Sequence, residues 1–271
     1  MNAHDVRISD AITIRVFSDT RPHNLKISEL QKGLILLYDR TETVGEGTGF
    51  GLPVLVFEDE TRFSSTSRVN VTTKNGNSII KKEFIFDRVA RNKFRNVTLE
   101  NRVARDFFGF LARMYQKHPK LRALVLKKIT RNMNIETAFL KTKPRGKVTV
   151  TYMITKNRVS VKADFRHLQK EGLKRIFMLN EQGSKFYRRY LDAEGIELKD
   201  AEIGAWDNVT AEWAAFTLFK TENGFRLWKN ENSILRRGRE FLKDSLDWIG
   251  LDYELPADTE VFEYPIEILG M

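Results

Sequence analysis

A segment near the middle of the chain alternates apolar and polar residues at every second position. If the segment from Lys147 to Arg166 turns at residues 156–157, its apolar side chains all fall on one face. The predicted cross-strand pairs are Ile154 with Val159, Tyr152 with Val161, Val150 with Ala163 and Val148 with Phe165. A slip of one residue would bury charged side chains, so the pattern predicts a half-buried antiparallel hairpin in this register.

Several other segments carry strand or hairpin signals. Asn-Gly pairs at residues 75–76 and 223–224 predict two more hairpins, because this dipeptide readily adopts the positive φ angles of a type I′ turn. Further candidate strands are Ile12–Phe17, Leu34–Tyr38, Leu52–Phe57, Arg175–Leu179 and Glu260–Ile268. Antiparallel strands at this spacing predict a mainly antiparallel β-sandwich or a large curled sheet.

One block of the chain, at about residues 93–145, has helical periodicity instead. Thr98 is a candidate N-cap, and the His118-Pro119 pair should end the first helix, because a residue before proline avoids the α region. Apolar residues at helical spacing predict a second helix over about 121–129, a shorter one from Ser184, and another from about Ile234 to Trp248. The predicted fold is therefore α+β: a single domain over residues 1–271, with a basic helical insertion at about 93–145 packed on the sheet.

Composition narrows the class of protein. The chain has 271 residues, of which 41% are hydrophobic, so it can bury a large core. It contains no cysteine, which excludes disulfides, thiolate nucleophiles and cysteine-ligated metals. No apolar run has the length of a signal peptide or a membrane span, so we expect a cytoplasmic protein. No cofactor or metal-binding motif occurs, and we expect neither; the oligomeric state stays open.

Positive and negative charge are concentrated in different parts of the chain. Residues 88–147 hold 17 Lys and Arg against three acids, a net charge of +14 in a chain of +10 overall, whereas residues 244–271 hold eight acids and no Lys or Arg. The acidic segment could neutralise the basic block, or the block could bind nucleic acid or an acidic glycan; an anionic membrane surface ranks last. The predicted polyanion-binding residues are Arg105, Arg113, Lys117, Arg122 and Lys127.

Residues 43–53, TVGEGTGFGLP, form the most unusual local string. Glycines alternate with Glu46, Thr48 and Phe50, so an extended conformation would leave one face as bare backbone. The favoured interpretation is a flexible turn or a bulged strand. The alternative is a ligand-facing loop, in which Glu46 is an acid or base and the ligand contacts Gly47, Gly49 and Phe50.

The hairpin predicted at residues 223–224 has aromatic residues on both faces. Phe219 is expected opposite Trp228, and Trp213 and Arg226 share their face with Asn230. Packing of a central sheet explains such a pattern best. The alternative is a stacking surface for sugar rings or bases, in which the ligand-binding residues are Trp213, Arg226 and Trp228.

No catalytic motif identifies a reaction. The nucleophile-elbow, P-loop and His-Glu-x-x-His patterns are absent, and the candidate catalytic residues are Glu46, His167 and Glu181. We therefore expect a carbohydrate-active or carbohydrate-binding β-sandwich protein, with an acidic glycan as one expected ligand. The alternative is a non-enzymatic binder of nucleic acid or another polyanion through residues 88–147. Whether the chain is an enzyme stays open.

Overall fold

Antiparallel strands build almost all of the structure. The computed structural model describes residues 3–17, 31–74, 77–94, 97–98, 135–204, 206–218, 221–242 and 246–270. Three sheets are present within these ranges. The smallest, sheet A, has four strands in the order β1 (Ala3–Arg7), β2 (Ile12–Phe17), β3 (Ile35–Tyr38) and β4 (Thr41–Glu42).

Each of the other two sheets has nine strands. Sheet B contains, in spatial order, β10 (Val97–Thr98), β9 (Arg88–Phe94), β6 (Thr61–Phe63), β5 (Gly49–Phe57), β14 (Leu173–Gln182), β21 (Leu246–Pro256), β20 (Ile234–Leu242) and β17 (Asp207–Asn208), and β11 (Ile135–Lys141) also pairs with β9. Sheet C contains β16 (Glu197–Lys199), β15 (Tyr187–Asp192), β18 (Trp213–Leu218), β19 (Gly224–Trp228), β22 (Val261–Leu269), β13 (Arg158–Asp164), β12 (Lys147–Ile154), β8 (Asn77–Ile85) and β7 (Thr66–Lys74).

Sheets B and C pack face to face around one hydrophobic core. The rings of Tyr253 from sheet B and Tyr264 from sheet C lie 4.7 Å apart, and Phe50 of sheet B meets Phe225 of sheet C edge to face at 5.0 Å. Buried residues of sheet A, such as Leu36, belong to the same core. Each large sheet therefore has an inner face in the core and an outer face directed away from the opposite sheet.

Most of the predicted strands are confirmed. Strands β12 and β13 pair with Ile154 opposite Val159, Tyr152 opposite Val161 and Val150 opposite Ala163, as the alternation predicts. Strands β7 and β8 form the predicted hairpin about residues 75–76, with Lys74 opposite Asn77. The five other candidate strands coincide with β2, β3, β5, β14 and β22, because β-branched and aromatic residues there line the core.

The α+β prediction is wrong. The described residues contain no α-helix, only a 3₁₀ turn at Asp200–Glu202. The two ends of the predicted helical block are strands β9 and β11, which pair with each other from Arg88 opposite Lys141 onward. The helices predicted over about 98–118 and 121–129 lie outside the described residues. The segments predicted as helices from Ser184 and from Ile234 to Trp248 are strands β15, β20 and β21.

The hairpin about residues 223–224 is present, but the predicted register is wrong. Trp213, not Phe219, lies opposite Trp228, and Phe216 lies opposite Phe225. The turn is longer than two residues, since the amide of Leu218 donates to the carbonyl of Asn223 at 2.8 Å. Gly224 begins strand β19 and has no positive φ; a Cβ there would lie 2.1 Å from the carbonyl oxygen of Phe216. The glycine therefore permits close strand approach instead of a type I′ turn.

No helix in the described ranges combines the length and the apolar character that crossing a membrane requires.

Candidate functional site

A row of glycines crosses the outer face of sheet B, and one glutamate interrupts it. The strand register places Gly49, Glu181, Gly250 and Gly238 side by side on β5, β14, β21 and β20. Because paired residues of adjacent strands share a face, all four point away from the core. We call this set the glycine row. Glu181 is the only residue in it with a side chain.

The Glu181 carboxylate lies in a partly enclosed polar environment. Thr48 and the ammonium group of Lys32 lie close enough to stabilise its charged form. Burial outweighs these contacts and raises the pKa of Glu181 to about 7. The side chain is half-buried on the outer face of sheet B. Such a carboxyl can exchange protons near neutral pH.

Asp252 provides a second carboxyl group beside Glu181. It is buried, and its Oδ1 accepts the amide of Asn180 at 2.7 Å. Burial and the nearby charge of Glu181 raise the pKa of Asp252 well above its usual range. A Cβ at Gly250 would lie 3.0 Å from Cγ of Glu181 and 3.3 Å from Oδ1 of Asp252. The glycine thus leaves the space in which the two acids meet.

A β-bulge between β5 and β14 of sheet B lies directly beside Glu181. The pairing of β5 with β14 shifts by one residue between Leu179 and Asn180, and the amide of Gly51 donates to Oδ1 of Asn180 at 3.1 Å. Tyr264 of sheet C donates its hydroxyl to the same oxygen at 2.9 Å. Bulges of this kind redirect neighbouring side chains. Asn180 therefore anchors the strand from the core side directly beside Glu181.

Two tryptophans lie at the far end of the glycine row. The rings of Trp206 and Trp248 stack with centroids 4.7 Å apart and an interplanar angle of 14°. They cover Gly238, where a Cβ would approach the Trp206 ring to 2.8 Å. Both side chains are partly exposed. The outer face of sheet B therefore combines an aromatic stack with two carboxyl groups.

Glu46 lies in the turn that leads into β5. Its amide donates to the carbonyl of Asp247 at 3.2 Å, and its carboxylate is attracted by Lys32 and Lys185. Burial and the charge of Asp247 raise the pKa of Glu46. Lys32 donates to the carbonyl of Gly47. Glu46 and Glu181, both predicted as catalytic, thus both lie close enough to Lys32 for its charge to lower their pKa, and the sequence did not single out this lysine.

The other predicted ligand-binding residues are not together. Phe50 lies in the core, whereas Gly47 and Gly49 line the turn beside Glu181. Trp213, Arg226 and Trp228 lie on the outer face of sheet C, on the opposite side of the sandwich. His167 is exposed at the end of the β12–β13 hairpin, and its role stays a prediction. The structure therefore divides the predicted site between two surfaces.

The described residues of the two charged segments form ion pairs with other parts of the chain. Within the described part of the basic block, Lys147 pairs with Glu83 at 2.7 Å and Arg91 with Glu60 at 3.5 Å. The acidic segment forms strands β21 and β22, where Glu254 contacts Arg175 and Arg236. The five predicted polyanion-binding residues lie outside the described residues.

A cleft of about 1330 Å³ adjoins the outer face of sheet B. Ile234, Arg175 and Glu254 line it, and Glu254 is also bound by Arg236 at 2.9 Å. Arg236 in turn lies near enough to Asp252 to lower its pKa against the effect of burial. Arg236 therefore links the cleft, through Glu254, to the carboxyl groups of Asp252 and Glu181. Within the described ranges, no group of three or more His, Asp or Glu side chains could hold a metal.

Comparisons with known proteins identify a fold. No family model matches the chain, and no curated protein matches it. Over 98% of its length it superposes on the alpha-N-acetylgalactosaminidase NagBb from Bifidobacterium bifidum, solved with GalNAc, at 10% identity and a TM-score of 0.54. The chain spans 36% of that enzyme. This likeness shows a shared β-sandwich fold.

Two further solved structures align along almost the whole of both chains. The Slr1438 protein from Synechocystis sp. PCC 6803 aligns over 98% of this chain and 95% of its own, with 7% identity and a TM-score of 0.38. A protein from Escherichia coli K12, classified provisionally as an aldose 1-epimerase, aligns over 98% of both chains, with 8% identity and a TM-score of 0.37.

Several residues of this site could not be found in the sequence. Asp252 and Trp248 lie on β21, which pairs with the strand of Glu181, whereas Lys32 comes from a distant segment before β3, and no motif links these segments. The one sequence signal was the alternation of glycines in residues 45–51. It marked Glu46 and one end of the glycine row, but not the strands that complete it.

Proposed function

We propose that the chain is a carbohydrate-binding β-sandwich protein whose sugar site is the outer face of sheet B, and that Glu181 is a general acid or base at this site. The observation that carries the proposal is a half-buried glutamate with a pKa of about 7, set in the glycine row near the Trp206–Trp248 stack. The fold shared with a sugar-cleaving enzyme supports it.

The groups on this face suit the two sides of a pyranose ring. The apolar C–H face of a sugar stacks well on an indole ring, whereas its hydroxyl groups donate hydrogen bonds to carboxylates. Trp248 provides the first kind of surface, and Glu181 provides the second. A neutral sugar is the proposed ligand, because its hydroxyl groups can both donate hydrogen bonds to carboxyl groups and accept them.

Glu181 is suited to transfer a proton. A carboxyl group with a pKa near 7 is largely protonated below neutral pH and can donate to a sugar oxygen, then accept a proton as the carboxylate. Asp252 would stay protonated beside it, because burial and the Glu181 charge both oppose its ionisation. The proposed chemistry is acid–base catalysis at a sugar oxygen.

Calorimetric titration with N-acetylgalactosamine, the ligand of the Bifidobacterium structure, and with other neutral monosaccharides tests the proposal. Trp248→Ala should weaken binding about tenfold or more by removing the stacking surface. Trp228→Ala, on the opposite face, is the matched control and should bind normally. Glu181→Gln should retain most of the affinity and lose any conversion of the sugar. Unchanged binding by a folded Trp248→Ala protein would contradict the proposal.

A further inference from the structure

The four tryptophans of the chain divide equally between the two outer faces of the sandwich. None of them belongs to the buried core, which tyrosines and phenylalanines fill instead. Trp206 and Trp248 lie on sheet B, while Trp213 and Trp228 lie directly opposite each other on β18 and β19 of sheet C. Partly exposed tryptophans are unusual enough on a sheet surface to suggest a contact with a ligand.

A guanidinium group is held between the second pair of tryptophans. The Arg226 Cζ lies 4.2 Å from the ring centroid of Trp213 and 5.9 Å from that of Trp228. Its Nη1 contacts Oε2 of Glu267 at 3.3 Å. About 30% of the Arg226 side chain remains exposed. Stacking on one ring and pairing with one carboxylate fix the orientation of the charged plane.

A second arginine follows in the same row of the sheet. The register places Arg226 opposite Glu267 on β22, and Glu267 opposite Arg158 on β13. Arg158 is exposed. The three side chains therefore form a row with a net charge of +1, and the tryptophan pair flanks one end of it. The Glu267 contact involves Nη1 of Arg226, and no acceptor among the described residues contacts Nη2.

We propose that this outer face of sheet C is a second binding surface, separate from the site on sheet B, and that it binds a carboxylated pyranose of an acidic glycan. The sugar ring stacks on Trp228, whose ring Arg226 covers less closely than that of Trp213. The sugar carboxylate pairs with Nη2 of Arg226 and with Arg158. A planar guanidinium suits a carboxylate because it offers parallel donors.

The charge of the two faces gives this surface its specificity. Here the two arginines of the row outnumber the single carboxylate of Glu267 and attract an acidic sugar, whereas on sheet B Glu181 becomes negatively charged above about pH 7. An acidic glycan should therefore bind sheet C, and a neutral sugar should bind sheet B. The second proposal can stand or fall independently of the first.

The test is a titration of the whole chain with a trimer of galacturonic acid and with the corresponding neutral galactose trimer, at about 50 and 200 mM salt. We expect the acidic trimer to bind more tightly, with an affinity that falls as salt rises. Trp228→Ala and Arg226→Gln should each weaken its binding about tenfold, and Arg226→Lys should restore it only in part, because lysine lacks the planar fork.

Two further variants keep the result interpretable. Arg158→Gln changes an exposed side chain that folding does not require, and it should weaken binding a few-fold. Trp248→Ala should have no effect on the acidic trimer. Equal affinity for both trimers, loss of binding in Trp248→Ala alone, or unchanged binding in both Trp228→Ala and Arg158→Gln would overturn the proposal. Tighter binding of a single-stranded RNA through the same residues would also overturn it, in favour of a nucleic-acid surface.

Discussion

At the scale of single residues, the protonation of Glu181 decides what the site can do. Its side chain is charged in water at neutral pH but shares a confined space with Asp252, so burial shifts its pKa toward neutrality. The folded protein therefore holds an extra proton between the unfolded pKa of 4.5 and about 7. The stability that this proton contributes is lost as pH rises through that interval.

Glu181→Gln should remove this pH dependence. The amide keeps the size of the side chain without the charge, so the variant should be more stable than the wild type at pH 8, by on the order of 2 kcal/mol. Urea unfolding at pH 5 and pH 8 measures the difference. Glu197→Gln serves as the control, because Glu197 is an exposed partner of Arg189. Equal stability of Glu181→Gln and wild type at pH 8 would show that Glu181 is ionised without penalty.

Gly238 is a second position at which a single residue affects the site, because there is no room for a Cβ atom. A Cβ there would lie 2.8 Å from the Trp206 ring, so Gly238→Ala should displace the stack and cost about 1–3 kcal/mol. The same substitution in a Trp206→Ala background should cost less, because the obstructing ring is gone. A double-mutant cycle from thermal unfolding measures this coupling. Additive costs would mean that the ring and the glycine do not meet.

Glu46 and Glu181 could be identified from the sequence, but their common partner could not. Glycine alternation and residue chemistry pointed to both acids. Asp252 reaches Glu181 through the pairing of β14 with β21, and Lys32 reaches both acids from a distant segment before β3, so no local pattern records these contacts. The position of an exposed side chain depends on the pairing register of its strand. The hairpin about residues 223–224, whose register was predicted wrongly, shows that this register is hard to predict from sequence.

At the scale of elements, a β-bulge in β15 explains why a helix was wrongly predicted from Ser184. The pairing of β15 with β18 shifts between Tyr187 and Arg189, so the buried residues Tyr187 and Tyr190 are three positions apart. That spacing imitates one turn of an amphipathic helix. Strand β20 was also predicted as a helix. Two of its inward side chains are arginines, Arg237 and Arg239, which lie over the rings of Tyr190 and Phe241. Because these inward positions are polar, the sequence there does not show the alternation of apolar and polar residues that predicts a strand.

Strand β8 carries a buried lysine that ties sheet C to the chain near sheet A. The ammonium of Lys82 donates to the carbonyls of Phe17 at 3.0 Å and of Lys32 at 2.6 Å. Burial lowers its pKa from 10.5 to about 7. Lys82 thus binds the backbone of Lys32, the residue whose side chain attracts the carboxylates of Glu46 and Glu181.

The shift in Lys82 predicts how stability changes with pH. Above about pH 7 the folded protein has lost this proton while the unfolded chain keeps it, so stability should rise toward pH 9, by up to about 1.4 kcal/mol per pH unit. Lys82→Met should remove the rise, and Lys81→Met, on the exposed side of the same strand, should not. Chemical denaturation at pH 7, 8 and 9 decides between these outcomes. A parallel rise in Lys82→Met would assign the effect to another group.

At the scale of the whole molecule, the alternation of apolar and polar residues predicted a β-sandwich, but it did not predict which residues lie on which outer face. Alternation located the core strands because the burial of apolar faces is a local property of each strand. The assignment of residues to one outer face or the other depends on the order of strands in two nine-stranded sheets. For that reason the glycine string and Trp228, expected around one groove, lie on opposite sides of the sandwich.

The central claim is that a neutral sugar binds the outer face of sheet B. The most direct test follows the four indole N–H resonances in a ¹⁵N-labelled sample during titration with N-acetylgalactosamine. Each outer face holds two of the four tryptophans, so the resonances report separately on the two surfaces. The account predicts shifts for Trp206 and Trp248, with Trp213 and Trp228 unchanged. Shifts confined to Trp213 and Trp228, or none at saturating sugar, would contradict it.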